Sequence, residues 1–485
     1  MKKTATLLTV SALILALSAC GNSAPAATTT AASEQPAVTT AKDADKETTT
    51  AEQTTAPEET TTAETTAKPV ENKAGFKQTA TIEETVLIDQ DGIKVTAKEL
   101  TYSKYAASIE LALENNSDSD IKLMSGTLGY SCNSVNGIMF SGGYFNCELK
   151  AGKKGKESLS FKYDELMLYG IDEIADIELG IYSTPGGLDY TYYPVSQIKT
   201  TAASSYDYDN MKFHKSFTSS DMQSKLGYTL KYSAEDKLYD VDDVSIVSEM
   251  LVENKDGDST IIIEAQNDSA YQSRLIVNDI FINGIKVNSS RWTSELINPG
   301  KTAMIDVDLS SVFDKSYWEM YGITEIKNVK LGIGQSDMEG TNESQPETIE
   351  IPVSGGADDA DTSGTVAYDE GGIRIIYKGV AGGRYDYDDS LYLMFIIENT
   401  SGKTRVIDDD YNSFSLNGYM TDSYIYSSTV GDGECAAWKI ELPERALDDA
   451  SVKKPEDIEE IEFGIEVRDE NWSNKKEGTV VVKLN

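Results

Sequence analysis

Ile174-x-x-Ile177-Glu178-Leu179-Gly180-Ile181 returns without gaps as Ile326-x-x-Val329-Lys330-Leu331-Gly332-Ile333 and again as Ile458-x-x-Ile461-Glu462-Phe463-Gly464-Ile465. The central glycines are separated by the length of a whole domain, so this is a tandem of folded units and not a solenoid. Three earlier signals recur in the same order. A short strand pattern opens each copy at Gly92-Ile93-Lys94-Val95, Asp243-Val244-Ser245-Ile246 and Gly372-Ile373-Arg374-Ile375. An alternating strand then ends in Asn115, Asn267 or Asn399, led by Ile109, Leu111 and Leu113, by Ile261, Ile263 and Ala265, or by Leu393, Phe395 and Ile397. The third signal is an Asn-Gly pair, Asn136-Gly137, Asn283-Gly284 and Asn417-Gly418, whose tolerance of positive φ suits a tight hairpin. A further turn follows at Gly152, Gly300 and Gly431.

Within each copy apolar and polar residues alternate in runs of strand length, bounded by Gly, Asn, Asp and Ser. That pattern predicts antiparallel sheets with one face in a core and the other in water. A short helix interrupts it before the last signal. Ser310-Ser311 predict a cap for a helix through Phe313, Tyr317 and Met320 to a stop at Gly322, with Asp164 to Gly170 and Glu444 to Ala450 in its place elsewhere. The fold class expected is all-β: three tandem immunoglobulin-like β-sandwiches, each with a short helical segment before a late strand. A small β-barrel is the competing architecture, and the inter-sheet disulfide of antibody domains is missing. The expected boundaries are 76–200, 227–354 and 365–485, with a connector over 201–226 and a linker over 355–364.

At the other end of the chain, Lys2 and Lys3 precede an apolar segment from Leu7 to Leu17, and Leu17-Ser18-Ala19-Cys20 closes it. The apolar run is too short for a permanent membrane span. These four residues resemble the lipobox of a bacterial lipoprotein signal peptide, which implies cleavage after residue 19 and acylation of Cys20. The alternative is an ordinary thiol in a signal peptide cut after Ala24 or Ala26. Two acyl chains, at about 0.8 kcal/mol per buried CH₂, would make the attachment durable. Residues 20–75 are rich in Thr, Ala and Glu, with Thr48-Thr49-Thr50 and Thr60-Thr61-Thr62, and lack the apolar area needed to offset chain ordering. A disordered linker is expected there, with a glycosylated stalk as the variant reading.

Signal peptide, Thr-rich linker and repeated β-domains together resemble uncharacterised Gram-positive bacterial lipoproteins that carry immunoglobulin-like modules. The likeness implies an extracytoplasmic protein held at the cell membrane by palmitate-type acylation. The repeat motifs that carry it are structural and imply no chemistry.

Charge narrows the partners. With 81 acidic against 43 basic residues and a formal charge of −38, the chain would repel a nucleic-acid backbone, and its Lys and Arg form no stripe. Solubility outside the cell accounts for the acid. The partners expected are the membrane, through the lipid anchor, and a protein or glycan ligand.

Candidate sites are few. Cys132 and Cys147 flank the Asn136-Gly137 turn and could pair across neighbouring strands outside the reducing cytoplasm, adding about 3 kcal/mol. The other copies lack both, so the fold does not require the bond. Cys435 has no histidine near it in sequence, His214 is the only histidine, and no Cys-x-x-Cys or His-x-x-x-His spacing marks a zinc site. No cofactor is expected. Structural calcium is the one metal that acid-rich loops could hold, at Asp207 and Asp209, Asp240, Asp242 and Asp243, Asp358, Asp359 and Asp361, Asp386, Asp388 and Asp389, or Asp408, Asp409 and Asp410, although none has EF-hand spacing.

Tyrosine, with 27 residues against 11 Phe and 4 Trp, gathers at Tyr190, Tyr192 and Tyr193, at Tyr206 and Tyr208, at Tyr385 and Tyr387, and at Tyr424 and Tyr426. Alternate tyrosines on a strand share a face and could present an aromatic platform. Ser451-x-x-Lys454 lacks its Lys-Thr-Gly partner, and the Gly-Lys-Thr triplets at Gly300 and Gly402 lack a phosphate-loop glycine. The chain reads as a non-catalytic binding or spacing module; the alternatives are a carbohydrate- or cell-wall-binding protein using the tyrosine-rich faces and, second, an extracytoplasmic enzyme without a recognisable motif.

Overall fold

The computed structural model describes residues 75–484 apart from 126–132, 141–142, 187–188, 209–212, 288–292, 338–343, 356–359 and 383–389. It is an all-β protein of three two-layered sandwiches. The first layer of each has the same antiparallel order. In the first sandwich the strands are Thr85–Gln90, Ile93–Tyr102, Ala106–Asn115 and Lys154–Lys162. The second uses Tyr228–Ala234, Val244–Asn254, Ser259–Asn267 and Lys301–Asp308, and the third Thr365–Glu370, Ile373–Gly382, Leu391–Asn399 and Cys435–Leu442. Register repeats as well: Ile93 faces Asn115, Val244 faces Asn267 and Ile373 faces Asn399.

The strand-ending asparagines are wholly buried because each side chain closes the loop that follows it. Asn115 Nδ2 donates to Ser119 O at 2.8 Å and Leu149 O at 3.1 Å, and its Oδ1 accepts from the Ser117 N–H and hydroxyl. Asn267 makes the same four bonds, to Tyr271 O, Ile297 O and both donors of Ser269. Asn399 donates to Lys403 O and Val430 O and accepts from Ser401 N. A buried amide with every group satisfied fixes one loop geometry, since any other leaves a polar group unpaired.

The second layer is built around the opening repeat. Leu179, Leu331 and Phe463 are all buried in the cores, on Asp176–Leu179, Val329–Ser336 and Glu460–Arg468. The glycine that follows each has a packing reason. A Cβ on Gly332 would lie 3.2 Å from Asp279, and one on Gly464 would lie 2.9 Å from Asp410 Cβ. At those points the partner strand bulges between Val277 and Ile280, or breaks between Arg405–Asp409 and Ser415–Leu416. In the first copy Gly180 N donates to Asn133 Oδ1 at 3.2 Å.

Two details differ from the sequence expectation. The counterpart of Gly300 is Gly433 and not Gly431, because Gly300 N bonds Asn267 O at 2.7 Å and Gly433 N bonds Asn399 O at 2.7 Å. In the second copy the helix is split into a turn at Leu309–Val312, capped by Asp308 and not by Ser310-Ser311, and a 3₁₀ turn at Lys315–Tyr321 capped by Asp314. The Asp308 carboxylate, two residues before Ser310, takes the Ser311 N–H in place of the serine hydroxyls.

The third difference is larger. Only the first sandwich leaves the outer face of its first layer in water. Along Ala106–Asn115 burial alternates strictly, whereas Ser259–Asn267 and Leu391–Asn399 are buried on both faces. The outward Met250, Val252, Ile262 and Met304 of the second sandwich join the first core, with Phe213, Phe217, Met222 and Leu226 of the connector between them. The outward Tyr392, Met394 and Ile396 of the third sandwich join the second core beside Tyr317, Trp318 and Tyr321. The connector is therefore not a polar spacer. Its helices Phe213–Phe217 and Ser220–Leu226 are apolar wedges, held by Tyr228 OH bonding Phe217 O.

Backbone pairing completes each junction. Ile138, directly after the first Asn-Gly turn, pairs in parallel with Thr302, and Ile285–Val287, after the second, pairs in parallel with Cys435–Ala437. Neighbouring sandwiches thereby share one continuous sheet.

Candidate interaction surfaces

The Asn-Gly turns do more than reverse the chain. Asn136, Asn283 and Asn417 all have positive φ, near 50°. Each side chain also clasps the start of the Ile-x-x-Ile strand. Asn136 Nδ2 donates to Glu173 O, and Oδ1 accepts from Ala175 N and Asp176 N. Asn283 holds Glu325 O, Lys327 N and Asn328 N, and Asn417 holds Asp457 O, Glu459 N and Glu460 N, in the same pattern. The clasp anchors the hairpin strand that the first two copies use to grip the next sandwich. Recurrence of Asn before Gly carried a hint of this, but nothing local in sequence marks a partner some forty residues away.

At the first junction Lys301 Nζ meets Glu178 Oε1 at 2.7 Å, both side chains largely covered. Beside it a cleft of ≈ 360 Å³ is lined by Asn136, Gly137, Tyr208, Lys301 and Thr302. Tyr206 and Tyr208 stand edge to face with ring centres 4.9 Å apart. The cleft is polar and open, and in it Tyr208 bonds the Asp176 carboxyl.

The tyrosine groups separate. Tyr193 turns into the core and bonds Ser183 through its hydroxyl at 2.9 Å. Tyr190 and Tyr192 stay exposed and lean on Tyr182, with ring centres 5.9 Å and 5.7 Å from it. Next to Tyr190 lies a depression of ≈ 350 Å³ lined by Lys122, Met124, Lys150 and Pro185. Tyr424 and Tyr426 are both exposed on the third sandwich, where Tyr426 O accepts from Trp438 Nε1. Tyr385 and Tyr387 lie outside the described residues.

Cys20 and Cys132 also lie outside them. Cys147 is a half-buried free thiol on Asn146–Leu149, its pKa raised by burial and by Glu157. Cys435 is free too, pushed up to about 11 by burial and by Glu398 and Glu434. Thiols held protonated in this way are poor nucleophiles. His214 meets Glu235 Oε1 at 3.2 Å on the connector helix.

The acidic loops have other work. Asp242 and Asp243 take consecutive positive φ values, occupying the hairpin position that Asp91-Gly92 and Gly371-Gly372 fill in the other copies. Asp361 accepts from Lys378 at 3.2 Å, and Asp408 accepts from Arg468 at 3.3 Å. Asp209, Asp358, Asp359, Asp386, Asp388 and Asp389 are outside the described residues. Among the described residues no three His, Cys, Asp or Glu side chains gather as a metal site would require. Among the described carboxyls, burial chiefly raises Glu295 to about 8 and Glu165, Glu249 and Asp306 to about 7, and none of the four lines the clefts.

No family model and no curated protein matches the chain. Among solved structures, a chain of a 1.5-MDa bacterial ice-binding adhesin is 12% identical, covering 78% of this chain and 90% of its own, at a TM-score of 0.13. An exo-β-D-glucosaminidase is 6% identical, covering 83% and 79%, at a TM-score of 0.17. Red sea bream transglutaminase is 10% identical, covering 63% and 38%, at a TM-score of 0.14. Likenesses at these scores carry no argument.

Proposed function

We propose that this chain is a lipid-anchored extracytoplasmic protein of a bacterial cell membrane, whose three sandwiches form a stiff, non-catalytic module that spaces and presents a binding surface. The observation that carries the reading is the construction of the junctions. Strand pairing and apolar side chains shared between cores fix each sandwich to the next, with a buried ion pair added at the first junction, as a spacer requires and a flexible string of beads does not. The anchor is tested by metabolic labelling with a fatty-acid analogue. The wild-type chain is expected to carry the label and Cys20→Ala to lose it; label retained on Cys20→Ala would remove the anchor from the proposal.

Tyr190 and Tyr192 favour a glycan of the cell wall as the bound partner, because exposed rings braced on a third ring offer the flat apolar surface that sugar faces stack against. Retention on insoluble peptidoglycan or polysaccharide is expected, and Tyr190→Ala with Tyr192→Ala should reduce it at least several-fold. Equal retention by wild type and double variant would count against the platform.

A further inference from the structure

The hairpin strand after the Asn-Gly turn is used twice inside the chain and left over once. Ile138 and Ile285 are 2% and 0% exposed because each pairs with the next sandwich, whereas Tyr419 and Met420, in the third copy of that strand, are 59% and 63% exposed. Tyr419 holds the equivalent place: it faces Leu416 across its hairpin as Ile138 faces Val135 and Ile285 faces Ile282. At the other end of the molecule, Lys154–Lys162 is the edge strand of its sheet among the described residues. That strand occupies the place of Lys301–Asp308 and Cys435–Leu442, the two strands that receive a hairpin in the interior.

We propose that the Tyr419–Met420 edge of one chain pairs in parallel with the Lys154–Lys162 edge of a second copy, repeating between molecules the junction that joins sandwiches within one. Register follows from the internal junctions. Thr302 faces Gln266 and receives Ile138, and Cys435 faces Glu398 and receives Ile285. Lys154 faces Glu114 in the same place and receives Tyr419. The bond from Thr302 N to Gly137 O, 3.0 Å inside the chain, becomes Lys154 N to Gly418 O between chains.

Charge fits the same pairing. Glu178 meets Lys301 at the first junction. Glu462 stands where Glu178 stands in its repeat, and Lys153 precedes Lys154 as Lys301 precedes Thr302. Lys150, Lys153, Lys154 and Lys156 lie along the receiving edge, two of them also paired with Asp120 and Glu114, and the acidic segment Glu456, Asp457, Glu459 and Glu460 is clasped to the donating hairpin by Asn417. Two features make this contact weaker than the internal ones. The outer face beside the receiving strand is polar, and the last helix, Glu444–Asp449, turns Glu444, Arg445, Asp448 and Asp449 to solvent. The association is therefore governed by charge and falls with added salt. It is heterologous, so it adds molecules in a row instead of closing a symmetric dimer.

The test is sedimentation velocity on the full chain carrying Cys20→Ala, so that acylation plays no part, at low and high salt and up to about 1 mM, where weak contacts populate. Mass rising past dimer with concentration, and falling back with salt, is expected. Glu462→Lys and Lys153→Glu alter exposed side chains. Each alone should stay monomeric, an equimolar mixture should associate again, and the double charge swap in one chain should behave as wild type. A chain that stays monomeric throughout, that stops at a dimer, or whose two single variants associate as wild type does would overturn the proposal. So would protection of the Tyr419 and Met420 amides from hydrogen exchange that needs another envelope protein and not a second copy.

Discussion

Phe463→Ala is expected to lower the stability of the third sandwich by about 3–5 kcal/mol, the range for emptying a large aromatic site in a close-packed core. Phe463 is fully buried and meets Phe395, Phe414 and Trp438 with ring centres 5.8–5.9 Å away. Three partners lose contact at once, and none can fill the space from a β-strand without shifting its backbone. Urea unfolding followed by tryptophan fluorescence checks it through a lowered midpoint, and Trp438 lies in the affected core. Leu179→Ala and Leu331→Ala should each cost about 2–5 kcal/mol in their own sandwiches, since the three residues occupy one structural position. A cost below about 1 kcal/mol at any of the three would show that the repeat does not place equivalent residues in equivalent cores.

Asn283→Ala should cost about 4 kcal/mol or more, although it removes only a small amide from a turn. Three hydrogen bonds go, and the backbone groups of Glu325, Lys327 and Asn328 lose partners in a crowded site, at about 1–3 kcal/mol for each group left unsatisfied. Alanine must also hold a φ of 49°, a left-handed conformation that costs about 1–2 kcal/mol for a residue with a Cβ. Asn283→Gly separates the two parts: it should recover the dihedral cost and keep the rest. The loss also loosens Ile285–Val287, which pairs with the third sandwich, so exchange of the Cys435–Ala437 amides should quicken in both variants. Asn283→Ala indistinguishable from wild type in melting and exchange would mean that the clasp holds nothing.

How much of this was legible in the sequence follows from where each interaction sits. Period-two alternation, Asn-Gly turns and the Ile-x-x-Ile repeat are local, so strand identity, hairpins and threefold repetition could be read directly. Reasons lying across the fold could not. Gly332 and Gly464 are visible as repeated letters, but the irregularity of the facing strand that demands them belongs to a distant segment. The turn asparagines were readable as positive-φ residues and not as clasps. The sequence did carry a sign of the junctions. Ile109-Glu110-Leu111-Ala112-Leu113-Glu114 alternates cleanly, whereas Ile261-Ile262-Ile263 and Met394-Phe395-Ile396-Ile397 are unbroken apolar runs, the mark of strands covered on both faces. Ile261 and Ile263 face the second core, and Ile262 between them packs toward the first sandwich. In the same way the connector carries His214 among polar residues, while Phe213, Phe217, Met222 and Leu226 do the packing.

Candidate sites were less legible than folds because their residue types are common here. With 81 acidic residues, acid-rich loops recur by composition alone, and the loops seen in the structure use their aspartates for turns and ion pairs. Tyrosines divide between core and surface according to strand phase, which a one-residue shift reverses. Tyr192 and Tyr193 show this: adjacent in sequence, one is exposed and the other is buried.

The stiffness of the array is tested most directly by pulsed electron resonance between paired spin labels in a cysteine-free chain. One pair is placed at the exposed Lys104 and Asp256 on the first two sandwiches, and a second pair at Asp256 and Glu470 on the last two. Shared cores and strand-paired junctions predict one narrow distance for each pair, unchanged by salt. Broad distributions spanning tens of ångströms would mean that the sandwiches swing independently, and would contradict the account.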